Sequence, residues 1–485
     1  MHYRFSVSIL VIFCCLLTVI RGAFASDDLS VLSRVYSINS DDMLWFGNED
    51  EDVIELKHSL FLFFKELGVD IPSEAQLSDK NLAEYDVELT TLFLSTLELI
   101  DKSKQGNVKG LVELFTESVE SNELSTFFSR LYHGYTEIES LRKKITEYQN
   151  LSITVWPYIK GEKLSLGQSS KEVSNLRWIL ITLGDLADSN LSRYRYSIFD
   201  PTLKMGIKSF QRRHGLDVTG NLNKKTAKEL NINPLRRVAQ MQNNLWRLLS
   251  LPNITPHTYI SINIPSYKLV LVGNQHPMLE MDIIVGKPST PTPMMQTKLV
   301  SLTTNPFWNP PVSIIYSELL PLHKKEPNTL ARRSFELHKG LRNKPIVKQL
   351  TGLDYSQLSA LLKEYRLVQA PGKYNALGRF RFSIPNNSSI YMHDTPAKYL
   401  FSNHYRALSH GCIRLAKPRK LTEYLFEQNY IANKINIDNA LAHDYSNHFR
   451  LQKPIPVFIT YNTSWVASDG SIQFRDDIYN MDGGK

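Results

Sequence analysis

A chain of 485 residues is too long for one ordinary domain and predicts about two to four units. A hydrophobic content of 42% with 11% aromatics excludes a disordered or fibrous chain, and three cysteines exclude a disulfide-stapled scaffold or a Cys-rich zinc protein. The net charge of +8 hides a division: residues 26–150 carry −14, residues 151–485 carry +20 and the first 25 residues carry +2. The basic part suits an anionic polymer or a carboxylate-bearing substrate. No aromatic-interleaved basic motif points to nucleic acid.

Met1–Arg4 is a short basic segment, and Phe5–Ile20 is an apolar run of about 16 residues, shorter than the roughly 20 that span a bilayer. Ala23-Phe24-Ala25 is an A-x-A-like cleavage signal. Residues 1–25 are therefore expected to be a secretory signal peptide that leaves a soluble, exported chain. Arg21, after the apolar run, keeps an uncleaved membrane anchor as the alternative. Cys14 and Cys15 lie inside this segment, so Cys412 is the one cysteine of the mature chain.

Residues 26–165 are expected to form a helical scaffold region. Val53–Leu67, Val87–Ile100 and Val108–Phe128 place apolar residues at helical spacing. The acids Glu49-Asp50-Glu51-Asp52 lack the spacing and turn glycine of a calcium loop. Residues 166–234 read as a small three-helix module. Val173–Leu183 ends at Gly184, Asp200 caps a helix with Pro201 at its first position, and Lys224–Leu230 closes the set.

From residue 256 the period becomes that of strands: Tyr259–Ile264, Tyr267–Val272, Leu279–Val285, Lys298–Thr304, Ser389–Met392 and Ile455–Tyr461. Residues 256–465 are expected to be a mainly β domain, with a basic, helix-rich, lid-like insertion over about 315–370 carrying helices at Leu319–Lys325 and Tyr355–Tyr365. Residues 466–485 are left as a C-terminal tail. The predicted fold class is thus multidomain α and β.

The chemistry concentrates in residues 371–415, where Ser409-His410-Gly411-Cys412-Ile413-Arg414-Leu415 follows Tyr391-Met392-His393-Asp394. A free thiol near pKa 8.5 is only a few per cent thiolate at neutral pH, so a nucleophilic cysteine needs a base or a cation beside it. His393, at the end of an apolar strand, is the candidate base. Gly411 would let backbone N–H groups face a reacting carbonyl, and Arg414 would bind a carboxylate or orient the loop. The bland alternative for Cys412 is a buried, inert side chain. His410 is a second base or a hydrogen-bonding scaffold. His443 and His448 would serve an enzyme in which the histidine follows the cysteine. Trp308 reads as core, and Tyr374 and Asn375 read as turn residues or low-grade substrate contacts. Without H-E-x-x-H or a ligand cluster at metal spacing, no metal and no cofactor are expected.

The text S-H-G-C-I-R-L with its upstream His393 resembles the active-site signature of the L,D-transpeptidases, the YkuD-type cell-wall enzymes. Val285–Pro293, Asn305–Ile314 and Pro371–Gly378 extend the likeness, and F-Q-x-x-x-G-L within residues 199–231 resembles a peptidoglycan-binding module. The layout is similar to the large periplasmic YcbB-like subgroup. The resemblance implies a periplasmic enzyme acting on peptidoglycan stem peptides, with Cys412 as nucleophile and His393 as general base and acid. Ser409, His410, Gly411 and Arg414 would shape the site. It further implies acyl transfer from a tetrapeptide stem with loss of D-Ala, a 3-3 cross-link as product, and carbapenems as covalent inhibitors. A cell-wall cysteine endopeptidase or carboxypeptidase, and a non-catalytic wall-binding protein, are the alternatives. Asp394 departs from the commoner glycine after the histidine and leaves open which group orients the His393 ring.

Overall fold

The computed structural model describes residues 26–39, 42–46, 51–71, 82–103, 110–132, 136–151, 154–188, 192–251, 256–274, 276–341, 344–431, 437–442 and 445–483. The expected signal segment and His443 lie outside the described residues. The chain divides into two compact units, Met1–Thr255 with Asn462–Asp476, and Pro256–Tyr461 with Asp477–Lys485.

The first unit is helical where the apolar spacing predicts helices. Glu51–Leu67 buries Leu56, Leu60, Phe63, Phe64 and Leu67, a stripe at i, i+4, i+7, i+8 and i+11. The Phe93 ring, on Leu82–Ser103, meets Phe63, Phe115 and Phe128 at centroid distances of 5.2, 5.1 and 5.5 Å. Buried Asp86 accepts from Leu44 N, Trp45 N and the Tyr36 hydroxyl at 3.0, 2.7 and 2.6 Å. The single helix expected over 108–128 is two, Leu111–Glu120 and Leu124–Tyr132, because Asn122 between them takes a left-handed backbone with φ 56°.

The small module has the predicted helices Lys171–Thr182, Pro201–Arg213 and Lys224–Leu230. Asp200 caps the second, accepting from Leu203 N at 2.7 Å with Pro201 at the first position. Gln211 is fully buried; its amide donates to Asn221 O and Thr226 Oγ1 and accepts from Gly220 N. The F-Q-x-x-x-G-L skeleton is thus largely internal bracing. Its core also takes in Ile159 and Leu164. The Asn231 side chain bonds both Ile159 N and Ile159 O at 2.8 Å and so holds the preceding segment against the module.

The stretch expected as a tail is not one. Ser464–Val466 pairs antiparallel with Ile472–Phe474, and Ile472 and Phe474 are buried in the helical core beside Met241 and Leu245 of helix Pro234–Leu249. Residues 477–483 return to the second unit, where the Tyr461 and Tyr479 rings stack at 5.4 Å.

The second unit is built on strands β1 (Thr258–Asn263), β2 (Lys268–Gly273), β3 (His276–Gly286), β4 (Met295–Thr304), β5 (Phe335–Lys339), β6 (Ile346–Gln349), β7 (Arg366–Gln369), β8 (Phe380–Ser383), β9 (Met392–His393), β10 (Ala407–Ser409), β11 (Ile413–Leu415) and β12 (Asn447–Thr460). The order β10-β3-β11-β9-β8-β4-β12-β1-β2, with β2 also paired to β3, closes the sheet on itself and leaves β10 outside the ring. Ser389 was expected within a strand but has φ 56° and sits in the turn before β9.

The insertion is less helical than its composition suggests. It contains the π-helical turn Ile315–Leu319 and helices Leu320–Lys325 and Tyr355–Leu361, and it also folds β6-β5-β7 into its own three-stranded sheet over Leu337, Leu350 and Leu358. The strands are only four or five residues long, too short to show an alternating pattern.

Candidate active site

Sheet register assembles the site. In β9 and β11, Met392 pairs with Ile413 and His393 with Arg414, and Ile413 N donates to Tyr391 O at 3.1 Å. Paired residues project to one face and successive residues alternate. Met392 and Ile413 are fully buried in the core. Tyr391, His393, Cys412 and Arg414 therefore share the opposite face, with Cys412 beside Tyr391 and half-buried. The neighbouring strand β8 repeats the phase: Phe382 pairs with Met392 in the core, and Arg381 pairs with His393.

His393 Nδ1 is bonded to the carbonyl oxygen of Asp394. A carbonyl only accepts, so Nδ1 carries the proton and Nε2 carries a lone pair. The group that orients the ring is thus a backbone carbonyl. The Asp394 carboxylate fixes that backbone in turn: it accepts from Arg379 N at 2.8 Å and pairs with Lys398. Gly378, with φ 59°, lies so near that a Cβ there would overlap the Asp394 carboxylate.

The loop before Cys412 is held by its own residues and by the turn after β3. Buried Ser409 donates from Oγ to Cys412 O at 2.6 Å and accepts from Gly411 N at 3.1 Å. Gly411 N–H donates to Ser409; the glycine is favoured by its φ of 109° and by Ile390 Cδ1 lying 3.0 Å from where a Cβ would stand. Thr292 Oγ1 donates to Gly411 O at 2.7 Å and accepts from Gly286 N at 2.9 Å. His410 is exposed and its Nε2 lies 2.7 Å from Glu318 Oε1, in the π-helical turn of the insertion.

The electrostatics oppose a resting ion pair. Burial, then the Arg414 charge, with Arg381 and Lys398 behind it, pushes the His393 pKa down to about 3. Burial raises the Cys412 thiol, against the pull of the Tyr391 N–H and hydroxyl and of the Arg381 and Arg414 guanidinium groups. Two cations, Arg381 and Arg414, act to lower the thiol, but desolvation outweighs them. At rest the thiol therefore keeps its proton and the imidazole is neutral.

The two expected substrate contacts lie in the loop between β7 and β8. Asn375 is buried, with its amide donating to Pro306 O, Gln369 O and Ala370 O and its Oδ1 accepting from Leu377 N, so its polar atoms are consumed by the loop. Tyr374 is half exposed; its carbonyl accepts from Gln369 Nε2 and its ring lies under Lys373. His448 sits exposed on β12 and bonds Thr303 Oγ1 on β4. Trp308, read as core, also acts on the Tyr391 hydroxyl and pulls it down against burial. Sequence reasoning missed Tyr391 and Arg381 as members of the site; the Phe-Arg-Phe alternation of β8 was the available signal for Arg381. Among the described residues, no group of three His, Cys, Asp or Glu side chains has metal-holding geometry.

Residues 257–428 match the YkuD family model, the L,D-transpeptidase catalytic domain. Over these residues the chain is similar to that family. Residues 169–230 match the model described as "Putative peptidoglycan binding domain". A Haemophilus influenzae protein named "Putative L,D-transpeptidase" is 34% identical over 258 residues, which is 53% of this chain and 50% of that protein. The chain thus spans about half the length of the curated relative it matches. Among solved structures, an L,D-transpeptidase from Mycobacterium smegmatis aligns at 12% identity and a TM-score of 0.20, covering 42% of this chain and 58% of that one. An L,D-transpeptidase from Stackebrandtia nassauensis aligns at 12% identity and a TM-score of 0.23, covering 63% and 98%. The large YcbB-like layout is consistent with a YkuD-type domain that follows a helical region and a wall-binding module.

Proposed function

We propose that the protein is an exported, periplasmic peptidoglycan L,D-transpeptidase that works through a Cys412 thioester. The observation that carries this reading is the placement of Cys412 and His393 on one sheet face, with His393 Nδ1 tied to a carbonyl and Nε2 left as the base. In the first half-reaction His393 Nε2 takes the thiol proton as Sγ bonds to the carbonyl carbon of the diamino acid, the third residue of a tetrapeptide stem. Tyr391 N–H and hydroxyl stabilise the negative charge on sulfur while the proton is away. The C–N bond then breaks, the imidazolium returns its proton to the leaving amine, and D-Ala departs. In the second half-reaction the side-chain amine of a neighbouring stem's diamino acid gives a proton to Nε2 and attacks the thioester. A 3-3 cross-link forms and the thiol is restored. The insertion that reaches His410 through Glu318 suits the exclusion of water, which would otherwise yield a tripeptide.

Intact-protein mass spectrometry after incubation with a carbapenem, and separately with a tetrapeptide stem, tests the reading. A covalent adduct on wild type that is absent from Cys412→Ala, together with cross-linked dimer from paired stems, is expected. A wild type that takes up neither acyl group would sink the assignment.

A further inference from the structure

The proposed chemistry employs an imidazole and a thiol but leaves two cations beside them without work. Arg381 on β8, His393 on β9 and Arg414 on β11 are register partners in a single row across three strands. The adjoining row, Phe382, Met392 and Ile413, is buried in the core, so both guanidinium groups stand on the face that holds Cys412. Their charges are felt at both His393 and Cys412.

Neither cation is neutralised. Among the described residues, neither Arg381 nor Arg414 forms an ion pair, and the Nε of each is buried without an acceptor. Arg381 lies over the Tyr391 ring at 4.7 Å, which fixes its plane but satisfies none of its donors. The carboxylate that acts on Arg414 is Glu318, and its Oε1 is occupied by His410. Two like charges flanking a buried neutral histidine destabilise the empty site. A guanidinium that no carboxylate of the chain pairs with is a group that a ligand carboxylate satisfies through charged N–H···O bonds.

We propose that Arg381 and Arg414 form a subsite for a carboxylate of the acyl-donor stem, held next to the bond that Cys412 attacks. This rests on the acyl-transfer reading above. A tetrapeptide stem offers two sources of that group: the terminal carboxylate of the leaving D-Ala and, where the diamino acid bears one, its side-chain carboxylate. Binding the first would make the enzyme select stems whose last peptide bond precedes a free acid. Binding the second would make it select the diamino acid.

Calorimetry on the full chain carrying Cys412→Ala, which binds without turning over, compares three peptides: the tetrapeptide, its C-terminal amide, and the tetrapeptide amidated on the diamino acid side chain. One amide is expected to bind about 10–100-fold more weakly than the acid, the loss expected for a charged hydrogen-bonded pair. Adding Arg381→Gln or Arg414→Gln should bring that ratio close to one, and the amide that suffers identifies the carboxylate. Because each ratio is taken within one variant, a partly unfolded preparation does not imitate the result. Equal affinity for all three peptides, no binding of the tetrapeptide, or a penalty that both arginine variants retain overturns the subsite. Wild-type turnover with an acid-to-amide ratio near one discards the subsite alone, whereas absence of any acyl adduct discards the acyl-transfer reading and leaves calorimetry to judge the arginines.

Discussion

The N–H and the hydroxyl of Tyr391 both pull the Cys412 thiol down, and the Trp308 side chain in turn pulls that same hydroxyl down. Burial raises the Tyr391 hydroxyl well above its ordinary range, so it remains a donor at every working pH.

Replacing Tyr391 with Phe removes one of these donors and keeps the ring under Arg381. Alkylation of Cys412 by iodoacetamide at pH 7 should slow by about 3–10-fold, the worth of one modest hydrogen bond. In wild type the raised thiol and the His393 pKa near 3 place the neutral pair at rest throughout pH 4–8. The alkylation rate should accordingly climb with pH past 8.5 without a thiolate plateau at pH 5–7. A plateau there would contradict the neutral pair.

Gly378→Ala adds a Cβ where the Asp394 carboxylate lies, at a backbone φ of 59°. The strained conformation alone costs about 1–3 kcal/mol. Moving Asp394 also shifts the carbonyl that holds His393 Nδ1. The variant should melt several degrees lower and acylate more slowly even at temperatures where it is folded. Unchanged acylation would show that Asp394 relaxes without disturbing the histidine.

Thr292→Val keeps the volume of a side chain buried to 2% exposure but deletes the hydroxyl that joins Gly286 N to Gly411 O. Each orphaned group costs about 1–3 kcal/mol. Thermal unfolding and the carbapenem acylation rate should both worsen, and Thr292→Ser should recover most of each. Equal behaviour of Val and Ser would mean that the methyl group, and not the hydrogen bonds, matters here.

The parts that sequence made legible are those whose determinants are adjacent in the chain. Asp200 and Pro201 announce their helix, and Ser409 to Arg414 are contiguous, so motif and local chemistry point to them directly. The row Arg381, His393 and Arg414 is spread over 33 positions, and only pairing across three strands makes it a unit. Trp308 is farther still in the chain, and its effect on Tyr391 becomes visible only in the fold. Asn375 looked like an available amide because nothing local reveals that three carbonyls converge on it. The insertion sheet was hidden by strands shorter than the window in which alternation becomes visible.

The ribbon Ser464–Val466 and Ile472–Phe474 has a consequence for synthesis. Ile472 and Phe474 complete a hydrophobic core otherwise assembled from residues 32–249, so the helical unit, although its helices are translated first, reaches its final packing only after residue 474 has left the ribosome. Until then it exposes an unfilled apolar site, and a product shortened at residue 461 would keep every residue of the Cys412 loop yet be released with that vacancy open.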